Sequence, residues 1–269
     1  MSQLSINPQS TAAPQLSLKN FSIAQGERVL VKDLNWSIGA GEVCLVLGEN
    51  GCGKSTLLSA MAGWHQPVLG ELMLQQRAWR SWPSRQRAQM LAWQTQHDEC
   101  PFPLTVLEKV LTGRHPHLSR FEWESAEDVA LARQQLARVD LAHLESRDLA
   151  TLSGGERRRV ALATALTQQA PVLLLDEPLS QLDVRHQQQA LQVLAEEVAA
   201  GRSVVMVSHD PNHAQRFTAE SCRVLLLFGD GRYLAGASRD VLTAENLTAL
   251  YHYPVREVNV DGLPWYIPA

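Results

Sequence analysis

The chain has 269 residues, 45% of them hydrophobic, and a formal net charge of −4 at pH 7. That length allows one large domain or two small ones with ample apolar content for a core. The acidic balance, with no basic stripe, excludes a protein that tracks a nucleic-acid backbone. No apolar run approaches the roughly 18–20 residues of a membrane helix, and the N-terminus lacks the charged and apolar regions of a signal peptide. Cys44, Cys52, Cys100 and Cys222 contain no C-x-x-C pair, which indicates a reducing compartment and not a disulfide framework.

In chain order, residues 1 to about 15 are polar and contain proline, and read as a loose tail. Leu16 to Ile23 and Arg28 to Ile38 alternate as antiparallel strands around the turn Gln25-Gly26-Glu27. Val43 to Leu47 is a continuous apolar run, the pattern of a buried parallel strand. Leu69 to Leu74 predicts another short strand. Ser84 to Ala92 leads through Trp93 into a polar loop containing Gln96. From Pro101 to about Arg147 the pattern turns helical, with Ser125 and Asp128 as a capping box ahead of Val129, Ala132, Leu136 and Val139.

Leu152-Ser153-Gly154-Gly155-Glu156 opens a further helix that runs to Leu166. Ser153 and Glu156 also form a capping box, but two glycines inside a helix start are costly for capping alone. A closely approaching ligand explains them better, and a helix N-terminus suits an anion. Val172 to Leu175 is a buried strand, and a helix rich in Gln and Ala follows Asp183. Ser203 to Ser208 is the next strand. Arg223 to Phe228 and Arg232 to Ala237 flank Gly229-Asp230-Gly231, a hairpin signal. Thr243 to Tyr251 reads as a helix, and Val255 to Val260 with Leu263 to Ile267 as a last hairpin.

The chemistry concentrates in Gly48-Glu49-Asn50-Gly51-Cys52-Gly53-Lys54-Ser55-Thr56, which fits G-x-x-x-x-G-K-[ST] between a strand and a helix. Its glycines let successive N–H groups curl around a phosphate chain. Lys54 would reach the β- and γ-phosphates, and the Ser55 hydroxyl would join a Mg²⁺ shell. Asp176, at the end of its strand, is the matching Mg²⁺ ligand, and Glu177 is placed to orient or deprotonate the attacking water. His209, also ending a strand, is a candidate γ-phosphate sensor. His115 and His117, with Cys100 nearby, could be read as metal ligands, but no second spaced pair accompanies them; a contact loop of the helical segment is the alternative.

The order of the P-loop, Gln96, Leu152 to Glu156, Asp176-Glu177, Asp183 and His209 resembles the ATP-binding subunit of ABC transporters across nearly the whole chain. The resemblance implies an α/β P-loop NTPase domain with a RecA-like core, an antiparallel β-subdomain and a helical subdomain near residues 97–157. The domain would span 16–269, with a C-terminal hairpin and helix extension from about 221. It further implies ATP and Mg²⁺ as cofactors and a head-to-tail homodimer, each ATP lying between one copy's P-loop and the other's Ser153-Gly154-Gly155. In that scheme Glu177 is the base, Gln96 reaches Mg²⁺ and the water, His209 contacts the γ-phosphate, and Asp183 communicates across the dimer.

The finer pattern is similar to importer ATPases for cobalamin, haem and iron-siderophores. It lies in Thr112 to His117, Leu182 to Gln187, His209 to Asn212 with Arg216, Leu242 to Leu247 and Tyr251 to Val255. Phe121 to Ser125 and Trp265 to Ala269 are most similar to the cobalamin members. Integral permease subunits, a periplasmic substrate-binding protein, no nucleic acid and a peripheral place on the cytoplasmic face of the inner membrane follow from the resemblance.

Two positions depart from the family. Gln25 stands where an aromatic commonly stacks on adenine. Cys52 stands where a small inert residue is usual; it either replaces alanine or is an activated thiol at a helix N-terminus. A soluble ABC-type switch of translation or DNA repair would carry two cassettes or a heptad insertion, and a small-molecule kinase leaves Leu152 to Glu156 unexplained.

Overall fold

The computed structural model describes residues 14–96 and 102–269. All but two residues of the expected tail, and Cys100, lie outside them. In chain order the elements are β1 (Pro14–Gln25), β2 (Arg28–Gly39), β3 (Val43–Leu47), α1 (Lys54–Met61), β4 (Leu69–Leu74), β5 (Arg77–Ala78), α2 (Ser84–Met90) and β6 (Leu91–Gln94). There follow α3 (Val106–Leu111), α4 (Ala126–Arg138), α5 (Gly154–Thr167), β7 (Val172–Leu175), α6 (Val184–Ala199), β8 (Ser203–Val207) and β9 (Cys222–Leu227). The last are β10 (Tyr233–Ala237), α7 (Ser238–Val241), α8 (Ala244–Tyr251), β11 (Val255–Val260) and β12 (Leu263–Pro268).

The central sheet runs β10-β9-β3-β8-β7-β6. From β9 to β6 its strands are parallel, and β10 closes one edge antiparallel. Because helices cover both faces, its strands are apolar on both sides. Along β3, Cys44 and Val46 face one core while Val43, Leu45 and Leu47 face the other. The first core packs α1 and the β-subdomain; the second packs α5, α6, α8 and the helical segment. A four-stranded sheet, β2-β1-β4-β5, forms the antiparallel subdomain, with Gln25 paired to Arg28 across the turn.

The hairpin signal around residue 230 understates the role of β9. Besides pairing with β10, β9 lies parallel to β3 from Val43–Cys222 to Leu47–Leu226. Residues 222–237 therefore complete the core sheet, and the segment outside it begins at α7. Pro14 and Gln15, which composition assigns to the tail, already belong to β1. Between β6 and β7 the chain is helical: α3 and α4 begin with capping boxes at Thr105/Glu108 and Ser125/Asp128, and both pack against α5. An ion-pair group around the buried Glu197 fastens this region to the core: Arg138 reaches Glu196 and Glu197 of α6, and Arg202 also reaches Glu197.

Candidate functional site

The expected residues converge because β3, β6, β7 and β8 run the same way and so end at one edge, where a crevice opens. Gly48 to Thr56 leaves β3, Thr95 and Gln96 leave β6, Asp176 and Glu177 leave β7, and His209 follows β8 by one residue. Gly53 caps α1 in the left-handed region (φ 106°) with no side-chain cap bond, so the first turn of the helix has no capping side chain over its N–H groups. Lys54 is 5% exposed. Its Nζ donates to the carbonyls of Gly48 at 2.8 Å and Glu49 at 2.9 Å, holding the loop curled. Uncapped N–H groups and a buried ammonium make this an anion site.

Across from it, Asp176 is 3% exposed and its Oδ1 is buried without a hydrogen-bond partner. Burial pushes its carboxyl above the usual carboxylate range, against hydrogen bonding from Ser55; Glu177 nearby adds to the rise. An unpartnered carboxylate oxygen beside a hydroxyl is a hard, all-oxygen donor pair, which fits Mg²⁺. Glu177 lies at φ 51°, unusual for a non-glycine residue. Its Oε1 sits 2.9 Å from His209 Nε2, and His209 is half exposed to the crevice. The Glu177 carbonyl accepts from Ser180 Oγ at 3.0 Å and from the Ser180 N–H at 3.1 Å, bonds that hold the strained turn.

Arg158 was hidden in the sequence as the middle of Arg157-Arg158-Arg159. It is buried, and its guanidinium donates to the carbonyls of Thr95 (3.2 Å), Asp176 (3.4 Å) and Gln96 (3.0 Å) and to Ser180 Oγ (2.8 Å). One side chain of α5 thus ties the Gln96 loop to the acidic strand end. Gln96 itself is exposed.

Ser153 caps α5 with Glu156 as anticipated. Within the chain, a Cβ on Gly155 would meet the Gln181 backbone carbonyl at 2.9 Å, while one on Gly154 would meet only the movable end of the Gln181 side chain. Asp183 caps α6, accepting from the His186 N–H at 2.9 Å, and its carboxylate also touches the His186 ring at 2.9 Å. The N–H bond holds its carboxyl below the usual range.

Two readings change. Cys52 is 3% exposed, and burial pushes its thiol up, outweighing the attraction of Lys54; activation by the helix N-terminus loses to desolvation. His117 Nε2 contacts the Gln168 carbonyl at 2.8 Å, and no group of three His, Cys, Asp or Glu among the described residues could hold a metal. Gln25 is exposed. The neighbouring Arg28 donates to the Gly229 carbonyl at 2.9 Å, close to the P-loop, because a Cβ on Gly229 would lie 3.2 Å from Cys52 Cβ.

With this geometry established, comparison with known proteins is decisive. The profile of the ABC transporter family matches residues 31–180. The chain belongs to the ABC transporter family. As an ATP-binding subunit of that family it hydrolyses ATP and works with membrane permeases. It is 34% identical to the molybdate import ATP-binding protein MolC of Haemophilus influenzae, covering 90% of each chain. It is 40% identical to the hemin import ATP-binding protein HmuV of Pseudomonas aeruginosa, over 88% of this chain and 92% of that one. It is also 40% identical to a cobalamin import ATP-binding protein, BtuD of Halobacterium salinarum, over 84% of this chain and 56% of that protein. A solved ABC transporter described as of metal-chelate type, in an inward-facing conformation, superimposes with a TM-score of 0.81 at 30% identity, covering 95% of this chain and 98% of that one. Among the described residues no helix is long and apolar enough to cross a membrane.

The unpartnered Asp176 carboxylate has a thermodynamic consequence. A carboxyl whose folded pKa is raised binds its proton more tightly folded than unfolded, so it lowers stability as pH rises above its unfolded value. Asp176→Asn should therefore raise the Tm of the nucleotide-free chain at pH 7.5 by about 2–4 °C, with the gain shrinking toward pH 4, while MgATP hydrolysis is lost. Thermal unfolding followed by circular dichroism at both pH values checks this. For Cys52, maleimide labelling of the native chain at pH 7.5 should be at least about tenfold slower than in urea, read by mass spectrometry of the labelled peptide.

Proposed function

We propose that this chain energises import of a metal-bearing compound, with cobalamin, haem and iron-siderophores as its cargo class, from a peripheral position on the cytoplasmic face of the inner membrane. Two copies would bind two MgATP and close head to tail beneath two permease subunits, with a periplasmic binding protein delivering cargo. The observation that carries the reading is the opposition of a buried Lys54 and uncapped N–H groups to a buried, partnerless Asp176 oxygen, with Glu177 and His209 paired beside them. Cobalamin is not singled out, because the relatives' names divide among hemin, molybdate and cobalamin.

On binding, Lys54 exchanges its two loop carbonyls for phosphate oxygens, so its desolvation is already met before nucleotide arrives. The N–H groups at the start of α1 take the remaining phosphate charge. Ser55 and Asp176, with Gln96, would hold Mg²⁺, which neutralises charge between the β- and γ-phosphates when bound. Glu177 accepts the proton of the attacking water, and His209 fixes its carboxylate and reaches toward the γ-phosphate. Beyond that proton transfer, catalysis is almost wholly positioning and electrostatics. Ser153, Gly154 and Gly155 would close the site on the opposite copy, and Asp183, beside them through Gln181, would report that closure.

The test is ATPase activity of the complex recovered from membranes, stimulated in turn by binding proteins loaded with cobalamin, hemin, a ferric siderophore or molybdate. Stimulation by one of the first three supports the proposal, and response to molybdate alone or to none overturns the cargo class. In the same complex Glu177→Gln should keep MgATP affinity and lose roughly 10²- to 10⁴-fold in kcat, whereas Lys54→Ala should lose binding. Normal turnover in Glu177→Gln removes Glu177 as the base.

A further inference from the structure

His209 is half exposed. It shares the lining of a cavity of about 220 Å³ with Glu177, Leu179, Gln187, Ser208 and His213. Local bonds shape the turn that follows β8: Asp210 Oδ1 accepts from the Asn212 N–H at 2.8 Å, and Ser208 Oγ lies 2.8 Å from His213 Nδ1. These bonds join the turn to itself, and the Ser208 N–H donates to the Val46 carbonyl of β3 at 3.1 Å, which ties the start of the turn to the sheet.

The far side of the turn is held by α8 and the β11–β12 hairpin. Asn212 makes a reciprocal pair with the backbone of β12: its Nδ2 donates to the Tyr266 carbonyl at 3.0 Å, and its Oδ1 accepts from the Tyr266 N–H at 2.8 Å. Gln215 Nε2 donates to the Pro264 carbonyl at 2.6 Å. The Tyr251 hydroxyl, at the end of α8, donates to the carbonyl of His209 itself at 3.4 Å. The hairpin is in turn held to the core, because Tyr266 is 6% exposed and its hydroxyl donates to the Leu242 carbonyl at 2.5 Å.

We propose that Asn212 and Tyr251 are positioning residues through which the β11–β12 hairpin and α8 set the place of His209, so that a segment outside the nucleotide fold governs the γ-phosphate end of the site. The inference rests on the reading of His209 as the γ-phosphate contact. Among the described residues the hairpin's hydrogen bonds run to the turn after β8, to Thr248 and to Leu242, not to the P-loop.

The experiment compares the full chain with Asn212→Ala, His209→Ala, the double variant and Tyr251→Phe. It measures single-turnover hydrolysis of MgATP together with ADP affinity by calorimetry. Asn212→Ala should lower the hydrolysis rate about tenfold with ADP affinity within about twofold of the unaltered chain, and Tyr251→Phe should lower it about threefold. Added to His209→Ala, Asn212→Ala should change nothing further, because both act through one group. Multiplying effects in the double variant, or ADP affinity falling in step with the rate, would overturn the positioning role while leaving the role of His209 intact. Full activity in His209→Ala would overturn the reading of His209 and this inference with it. Should Asn212→Ala fail to fold, Tyr251→Phe, which removes a single hydroxyl, decides by the same two readouts.

Discussion

Parallel strands share a carboxyl edge, and in this protein four neighbours in one sheet deliver a phosphate loop, an acidic pair, a glutamine loop and a histidine to that edge. The burial that makes the strands apolar on both faces also dries the residues at their ends. Lys54 and Asp176 consequently sit in a medium where a net charge is costly, the first hydrogen-bonded to loop carbonyls and the second with one carboxylate oxygen unpartnered. The left-handed backbone of Glu177 is a further strain held by its neighbours.

Two contacts of α5 bear directly on the loops at the sheet edge. Arg158 places a rigid, permanently charged fork on backbone carbonyls of the Gln96 loop and the acidic strand end. Gly155 lets the Gln181 loop lie directly on the start of the same helix. A rotation of the helical region would move α5 and, with it, the loops that carry Gln96, Glu177 and Asp183. The paired Asn212 and Tyr266 give the histidine side of the crevice a comparable tether of its own.

Much of this was legible in the sequence. Residue types at the P-loop and the strand ends are dictated by phosphate and metal chemistry, and turns such as Gly229-Asp230-Gly231 and Asp261-Gly262 announce their hairpins. What escaped reading has physical causes. Arg223 to Phe228 looked like half of a simple hairpin, although apolar residues on both faces mark a strand with cover on each side, and its partner β3 is far away in sequence. Three successive arginines give no hint that Arg158 is the buried one, because a guanidinium is recognised by acceptors that only the fold assembles. The glycines of the Ser153 helix suggested a ligand, and Gln181 turned out to be an approaching group in the same chain. Cys52 shows that a helix N-terminus does not by itself activate a thiol that the core has enclosed.

The central claim is that one copy supplies half of a nucleotide site and a second copy supplies the rest. Sedimentation velocity of the Glu177→Gln chain with MgATP measures this most directly. A two-copy species that forms with MgATP, is absent with ADP and is lost when Ser153→Arg blocks the start of α5 is the predicted result. Stoichiometric ATP binding by a species that remains a single copy at all protein concentrations would contradict it.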